Sequence, residues 1–314
     1  MAKSVPSIHD GTDLPVGNWV DRFLPGPTRP YARLMRLDRP IGTWLLLFPC
    51  WWSLALAPGP ADARLLLLFV LFGLGALIMR GAGCTWNDVT DREFDAKVAR
   101  TRTRPIPSGQ VSVRQALAFM VAQMLAGFAI LVSFNAFAIA VGAASLVLVF
   151  SYPLMKRVTY WPQFFLGLAF NYGALLGWAA VEGSLDWPAL ALYLAGIAWT
   201  LGYDTIYAHQ DKEDDALIGV KSTALRFGRA TKPWLVGFYT ATVVLLAVTA
   251  ALRGLHPLFY AALAAGALQL AWQVWDADLD DAADCLRKFK SNRLYGWIIL
   301  AGIFCAAHWT TWTS

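Results

Sequence analysis

The feature that most constrains this chain is a series of long apolar runs that carry almost no charge in their middles. Such runs recur nine times along the 314 residues. A helix needs about 20 mainly apolar residues to cross a bilayer core, and lipid permits only helices or closed barrels as spanning structures. The sequence therefore predicts an all-α integral membrane protein, a nine-transmembrane-helix bundle. Its predicted spanning segments are 41–57, 65–84, 113–133, 136–151, 163–181, 187–205, 233–252, 257–275 and 294–312.

Composition supports the membrane prediction and excludes several other classes of protein. Hydrophobic residues make up 57% of the chain and charged residues only 15%, against about 25% charged residues in average globular domains. That balance excludes intrinsic disorder and a disulfide-stapled secreted domain. It predicts a lipid bilayer as the partner and no nucleic acid. The four cysteines form no C-x-x-C pair and are expected to be buried free thiols: Cys50, Cys84, Cys285 and Cys305.

The positions of lysine and arginine predict the topology. Apart from Arg64 and Arg253, all of the 26 basic residues lie in the amino-terminal segment, in every second loop or at the helix ends that adjoin those loops. The positive-inside rule then places the amino terminus and those loops in the cytoplasm, and an odd helix count places the carboxyl terminus opposite. Residues 1–40 show no apolar signal-peptide core, so the first spanning helix is expected to act as its own insertion signal. We expect a bacterial inner membrane as the location.

A first acidic motif, N-D-V-T-D-R-E-F-D, runs from Asn87 to Asp95 on the predicted cytoplasmic side. On a helix, Asn87, Asp91 and Asp95 stack on one face at i, i+4 and i+8. Like charges at this spacing destabilise an isolated helix by a few tenths of a kcal/mol, about 0.2–0.5 per pair. A cation partner explains the arrangement better than folding does. Asn and Asp oxygens are ligands that suit Mg²⁺.

A second acidic motif, Y-D-T-I-Y-A-H-Q-D-K-E-D-D, runs from Tyr203 to Asp215. On a continuous helix, Asp204, Asp211 and Asp215 would share one face, whereas Glu213 would point nearly opposite. The alternative for either motif alone is a hydrated helix end that makes salt bridges. Two such faces on the same side of the membrane favour a metal site.

Each acidic motif is followed by cations and tight turns. Lys97, Arg100, Arg102 and Arg104 lead into P-I-P-S-G. Lys221 and Arg229 flank S-T-A-L-R-F-G, which itself contains Arg226. Carboxylates can hold an anion only through a bridging metal, whereas guanidinium and ammonium groups contact it directly. A diphosphate fits both kinds of contact, and an apolar tail would suit the helices around it. The pattern predicts that polyprenyl diphosphate and Mg²⁺ bind in a cytoplasm-facing active-site cavity, where Mg²⁺ would neutralise the charge on the leaving group.

The two motifs and the basic turns that follow them closely resemble the signature loops of UbiA-type membrane prenyltransferases. The likeness extends to R-L-D-R-P-I-G-T-W-L-L-L-F-P at 36–49, Y-P-L-M-K-R-V-T-Y-W-P-Q at 152–163 and C-L-R-K-F-K-S-N-R at 285–293. It implies a polar tail over 1–30 and a transmembrane prenyltransferase domain over 31–314. Among family members the likeness is greatest to those that act on 4-hydroxybenzoate. It therefore implies transfer of a polyprenyl group to the ring carbon ortho to the hydroxyl, an early step toward ubiquinone.

The resemblance also implies roles for individual residues. Arg100 and Arg104 match basic positions that would contact phosphate, and Arg36 matches a position near the same pocket. Arg157, with Lys156 beside it, is the candidate for binding the aromatic carboxylate. Asp204, or another carboxylate of the second motif, is the candidate proton acceptor. The implied Mg²⁺-diphosphate cage consists of Asn87, Asp88, Asp91, Asp95, Asp204, Asp211 and Asp215.

Several features of the sequence allow two interpretations. Tyr207 is expected either to reach a metal-bound water or phosphate or to pack at the interface, and packing is favoured for His209. The acidic stretch 276–284 lacks the Gly and Glu positions of an EF-hand and is expected to flank the substrate mouth. The alternative functions are a sister prenyltransferase acting on another aromatic acceptor or haem, and a secondary transporter of an organic anion. A transporter would concentrate ionisable groups near the midplane, whereas these cluster at one face.

Overall fold

The computed structural model describes Leu14 and residues 17–98 and 100–309. Within these residues the regular structure is helical and no strand occurs. The helices are α1 (Trp19–Phe23), α2 (Arg29–Leu34), α3 (Ile41–Leu56), α4 (Ala63–Asp95), α5 (Val113–Leu131), α6 (Ala136–Val158), α7 (Pro162–Phe170), α8 (Gly173–Glu182), α9 (Trp187–Ala208), α10 (Lys212–Ile218), α11 (Thr223–Phe227), α12 (Thr231–Arg253), α13 (Phe259–Asp276) and α14 (Ala282–Ala307).

The helices follow the apolar runs of the sequence closely. Each predicted spanning segment lies almost wholly on helix, although residues 310–312 of the last segment fall outside the described part of the chain. Six helical stretches in that part are long and apolar enough to cross a membrane, and Ile41–Leu56 is a shorter apolar helix. The all-helical, multi-pass prediction is confirmed. The count of nine spanning helices stays a prediction.

The chain forms two compact units. The small unit comprises Met1–Pro40 and Ile78–Ala126, and the large unit comprises Ile41–Leu77 and Gly127–Ser314. The small unit has a core of its own, formed by Leu34, Val89, Ile106, Val111 and Ala116. Part of the predicted 1–30 tail is helical in this unit, because α1 lies at Trp19–Phe23. The boundary at residue 30 stays a prediction.

Helix α9 is the most buried element of the large unit. It packs against α7, α8, α12 and α14, and small residues allow these close approaches. At Gly202, for example, an added Cβ would lie 2.1 Å from the Tyr239 ring of α12. A helix that is apolar on every side is typical of a core position.

One predicted spanning segment, 163–181, is broken in the structure. Helix α7 ends at Phe170 and α8 begins at Gly173. The Asn171 side chain donates hydrogen bonds to Gly167 O (2.8 Å) and Thr200 Oγ1 (2.7 Å), and the Tyr193 hydroxyl donates to Leu168 O at 2.9 Å. Polar side chains therefore satisfy carbonyl groups that the break exposes, as irregular backbone at membrane depth requires.

A buried polar network joins α9, α12, α13 and α14. Asn292 Oδ1 accepts hydrogen bonds from Trp199 Nε1 (2.8 Å) and from Gln273 Nε2 (3.2 Å). Gln273 Oε1 in turn accepts from the Tyr239 hydroxyl at 2.8 Å. Because such groups are costly to bury without partners, the network fixes the register of the four helices.

The prediction of free thiols is confirmed, whereas the prediction of burial holds for three of the four cysteines. Within the described residues all four thiols are free. Cys50, Cys84 and Cys285 are buried, and Cys305 is partly exposed.

Gly296 lets α14 approach α3 closely. A Cβ at this position would lie 2.2 Å from the Phe48 ring, and Gly296 O accepts a 2.9 Å hydrogen bond from Trp52 Nε1. We expect Gly296→Ala to destabilise the protein by about 1–3 kcal/mol through overpacking, measured as thermal unfolding in detergent. Gly237→Ala is the control, because nothing lies within 4 Å of a Cβ there. Equal melting temperatures for the two variants would contradict this packing.

Candidate active site

The first acidic motif forms the last turns of α4 in the small unit. Asp88 and Asp91 are buried there. Asn87 Nδ2 donates a hydrogen bond to Asp91 Oδ2, as the i, i+4 spacing on one helical face predicts. The helix therefore presents an amide and a carboxylate side by side.

Two arginines bind the buried carboxylates of this motif. Asp88 Oδ1 accepts from Arg36 Nη2 at 2.5 Å and from Arg104 Nη1 at 3.3 Å. Arg104 Nη1 also contacts Asp95 Oδ2 at 3.0 Å. Buried carboxylates require such partners, since an unpaired buried charge is strongly destabilising. The sequence predicts Asp88 as a metal ligand; its ion pairs through Oδ1 give it a second role, in orienting the two guanidinium groups.

Arg36 has a strained backbone. Its φ of 59° is the only positive value among the described non-glycine residues. A left-handed conformation costs an L-residue roughly 1–2 kcal/mol, and such strain clusters at functional sites. Arg36 Nη1 donates to Arg33 O at 3.1 Å while Nη2 binds Asp88. The ion pair and the backbone bond together hold the guanidinium in a defined direction.

The second acidic motif, in the large unit, is not one continuous helix. Helix α9 ends at Ala208, a 3₁₀ turn covers His209–Asp211, and α10 begins at Lys212. A 3₁₀ turn has three residues per turn rather than 3.6, so the continuous helix that would place Asp204, Asp211 and Asp215 on one face does not occur. Their roles as ligands stay predictions.

Tyr207 and His209, in the same motif, both make packing contacts. The Tyr207 ring lies 4.5 Å from the ring of Phe289, measured between centroids. His209 is buried, and its Nε2 lies 3.1 Å from Thr231 Oγ1. His209 is therefore held inside the protein. The Tyr207 ring is supported by Phe289 of α14 and carries its hydroxyl at the far end.

Buried hydrogen bonds hold the loop that follows the second motif. The hydroxyls of Thr205 and Thr223 lie 2.7 Å apart, and Gln163 Oε1 accepts from the Thr223 backbone N–H at 3.1 Å. All three residues are buried. Thr205 is the neighbour of Asp204, so these bonds fix the backbone next to that carboxylate. Gln163 ends the family-like stretch at 152–163, and the sequence alone indicates no role for it.

The basic end of α6 is tied to the same loop. The Lys221 backbone N–H donates to Lys156 O at 2.9 Å, and Lys221 Nζ donates to Val158 O at 3.1 Å. Lys156 and Arg157 therefore lie beside the loop that follows the second motif. Two positively charged residues, one of them exposed, are suited to binding a carboxylate.

The donor set fits a hard divalent cation. Within the described residues no three His, Cys, Asp or Glu side chains lie close enough to hold a metal alone. Mg²⁺ does not require such a group, because it commonly takes one or two carboxylates and completes its shell with water and phosphate oxygens. The first motif supplies oxygen donors only, and Asp88 Oδ2 is buried without a hydrogen-bond partner in the described residues.

Fold and site together define a multi-pass helical membrane protein with oxygen-rich motifs beside arginines. The chain belongs to the UbiA prenyltransferase family, whose model matches residues 46–311.

Two relatives illustrate the sequence similarity. The chain is 54% identical over 296 residues to an Arabidopsis thaliana protein named "4-hydroxybenzoate polyprenyltransferase, mitochondrial". The alignment covers 94% of this chain and 72% of the relative. It is 52% identical over 287 residues to the Homo sapiens protein of the same name, covering 91% and 77%. Both names describe mitochondrial proteins, so these relatives do not support the expectation of a bacterial inner membrane.

Solved structures of the family share the fold. A UbiA homolog from Aeropyrum pernix K1 matches with a TM-score of 0.70 and 25% identity, over 83% of this chain and 96% of that one. A UbiA homolog from Archaeoglobus fulgidus, solved bound to GPP and Mg²⁺, matches with a TM-score of 0.63 and 17% identity, over 88% and 99%. The second likeness establishes the fold alone.

Removing the hydrogen bond between Gln163 and Thr223 should allow the loop that follows the second motif to open locally. In Gln163→Leu the buried Thr223 N–H loses its acceptor, an effect of about 1–3 kcal/mol. We expect faster hydrogen exchange across residues 220–225, measured by mass spectrometry. Gln110→Leu, at an exposed position, should leave exchange there unchanged. Similar exchange in both variants would show that Gln163 does not hold this loop.

Proposed function

We propose that this protein transfers a polyprenyl group from polyprenyl diphosphate to the ring carbon ortho to the hydroxyl of 4-hydroxybenzoate, in ubiquinone biosynthesis. The observation that carries the proposal is the identity above 50% to relatives named for this activity, over most of both chains. The site chemistry agrees, since it combines oxygen ligands with arginines. In the reaction the allylic C–O bond breaks with its electron pair leaving on the diphosphate, a ring carbon forms the new C–C bond, and the ring loses a proton.

Both acidic motifs serve the diphosphate in this proposal. The residues that would hold Mg²⁺ are Asn87, Asp88, Asp91, Asp95, Asp204, Asp211 and Asp215. When bound, Mg²⁺ neutralises negative charge on the leaving group. A fold neighbour solved with GPP and Mg²⁺ is consistent with this assignment.

The arginines of the small unit orient the same anion. Arg36 and Arg104 meet on Asp88 Oδ1, which fixes the direction of their remaining N–H donors. Arg100 adds a further charge from the same loop. Guanidinium groups held before substrate arrives stabilise a developing phosphate charge without reorganising.

The acceptor is assigned to the large unit. Arg157 and Lys156 bind the aromatic carboxylate, and their tie to Lys221 holds them beside the loop of the second motif. Asp204 accepts the proton released by the phenol or the ring. Tyr207 directs its hydroxyl toward phosphate or a bound water.

We extend the proposal to topology and domain limits. Nine spanning helices over 31–314 would place the amino terminus and a cavity for both substrates on the cytoplasmic or matrix side, with the carboxyl terminus opposite. Residues 1–30 would lie outside the catalytic domain. Cysteine accessibility on each side of sealed vesicles tests this arrangement.

A direct assay tests the activity. Purified protein in lipid vesicles is incubated with polyprenyl diphosphate and 4-hydroxybenzoate, with Mg²⁺ or with EDTA, and the prenylated phenol is measured by mass. We expect product only with Mg²⁺. Product with EDTA would remove the metal assignment, and no product under any metal condition would remove the proposed reaction.

The carboxylates of the two motifs should be essential while their exposed neighbours are not. We expect Asp91→Ala and Asp211→Ala to lower kcat by about 100-fold or more, because charge on the leaving diphosphate is no longer offset. The matched controls are Glu93→Ala and Glu213→Ala, which remove exposed carboxylates from the same motifs. Membrane insertion should be retained throughout. Activity retained in either Asp variant would remove that residue from the proposed metal site.

Arg157→Ala should affect the aromatic substrate selectively. We expect the KM for 4-hydroxybenzoate to rise about tenfold or more, since a charge-assisted contact contributes about 1.5–3 kcal/mol, while the KM for polyprenyl diphosphate changes little. Arg64→Ala, at an exposed arginine of the large unit for which no role is proposed, is the control. An effect confined to the diphosphate donor would reassign Arg157 to phosphate binding.

A further inference from the structure

The loop between α13 and α14 is held closed by a buried lysine. Lys288 is fully buried, and its Nζ contacts Asp276 Oδ2 at 2.6 Å and Asp284 Oδ1 at 3.1 Å. The same ammonium lies 4.5 Å from the centre of the Trp272 ring. Carboxylates on both sides and an aromatic face satisfy the charge. Asp276 is the last residue of α13, so Lys288 joins the two ends of the loop.

Three carboxylates of this stretch, those of Asp278, Asp281 and Asp284, accept local backbone hydrogen bonds. Asp284 Oδ2 accepts from the Asp278 N–H at 2.8 Å, and Asp278 Oδ1 accepts from the Asp280 N–H at 3.1 Å. Asp281 caps α14 by accepting from Ala283 N. Burial alone would raise the pKa of Asp284, but the Asp278 N–H and the Lys288 ammonium outweigh it and hold the pKa below its usual value. Carboxylates with these partners stabilise the loop itself rather than providing free negative charge.

The closed loop packs directly on the second motif. Ile206, in the middle of that motif, forms a buried cluster with Cys285 and Leu235, and Leu279 of the loop packs against it. The residue after Lys288, Phe289, has its ring 4.5 Å from Tyr207 and 5.7 Å from Tyr203. The end of α9 therefore rests on the loop and on one turn of α14.

The geometry points to Lys288 as a positioning residue: by closing the 276–284 loop it holds Phe289 and Leu279 against the end of α9, and so fixes the second acidic motif. This inference rests on the proposed function, because it assigns the motif to diphosphate binding. Lys288 itself contacts no substrate. Its effect is expected on diphosphate binding and turnover, not on binding of the aromatic acid.

Lys288→Met tests the charge, because it keeps most of the side-chain length. We expect hydrogen exchange across residues 204–211 to accelerate about tenfold or more as the loop opens. The KM for polyprenyl diphosphate should rise, while the KM for 4-hydroxybenzoate stays within about twofold. Arg287→Ala is the matched control, since Arg287 also contacts Asp284 but its side chain is 67% exposed.

Native Cys285 gives a readout that does not need activity. Its side chain is fully buried and its Sγ lies 3.5 Å from Asp278 O, and burial raises its pKa to about 12. In a Cys305→Ser background, we expect maleimide to label Cys285 rapidly in Lys288→Met and slowly in wild type and Arg287→Ala.

Two further variants separate the charge from packing and from misfolding. The triple variant Asp276→Asn, Asp284→Asn, Lys288→Met removes all three charges together, and we expect it to recover much of the protection of Cys285 and of the activity. Phe289→Leu should keep Cys285 protected yet lower activity, because Tyr207 loses its support. If Lys288→Met does not fold, the triple variant and Phe289→Leu decide whether the loop positions the second motif.

Defined outcomes overturn the inference. Unchanged labelling, exchange and KM in Lys288→Met, or full activity in Phe289→Leu, would show that the loop does not position the motif. An equal rise in the KM of both substrates would indicate a general structural role. If wild type makes no product, the proposed function fails, while exchange and labelling still decide whether Lys288 holds the loop against α9.

Discussion

A polar group buried in a helical membrane protein must find its partner within the protein. Lipid offers no hydrogen bonds, so an unsatisfied group costs several kcal/mol. The large unit follows this rule in the network around Asn292 and Gln273, and at the break between α7 and α8 in the hydrogen bonds of the Asn171 amide nitrogen. Each network also fixes a helix register that apolar packing alone would leave adjustable.

The same rule explains where the charges lie. Two buried carboxylates near helix ends pair with cations: Asp88 with Arg36 and Arg104 from other parts of the chain, and Asp284 with Lys288 one turn further along the same helix. Held in this way, a guanidinium group keeps spare donors in a fixed direction. A site that must bind a strongly charged anion gains from such preorganisation.

The sequence predicts the helices better than it predicts the contacts between side chains. Apolar runs near 20 residues identify the helical segments because the bilayer allows few alternatives. The break at Asn171 has no Pro to mark it and depends on Thr200, 29 residues away. The Arg36–Asp88 pair likewise joins residues 52 positions apart. The 3₁₀ turn at His209–Asp211 escapes prediction because a wheel assumes a uniform helix.

At Arg36 the left-handed backbone and the need for a positive charge favour different residues. Glycine would adopt this conformation without penalty, yet it would delete the guanidinium that binds Asp88. Asparagine, the next most tolerant residue, is too short and carries no charge. Relief of conformational strain and retention of a cation are therefore mutually exclusive at this position, and efforts to increase heat resistance would have to leave it untouched.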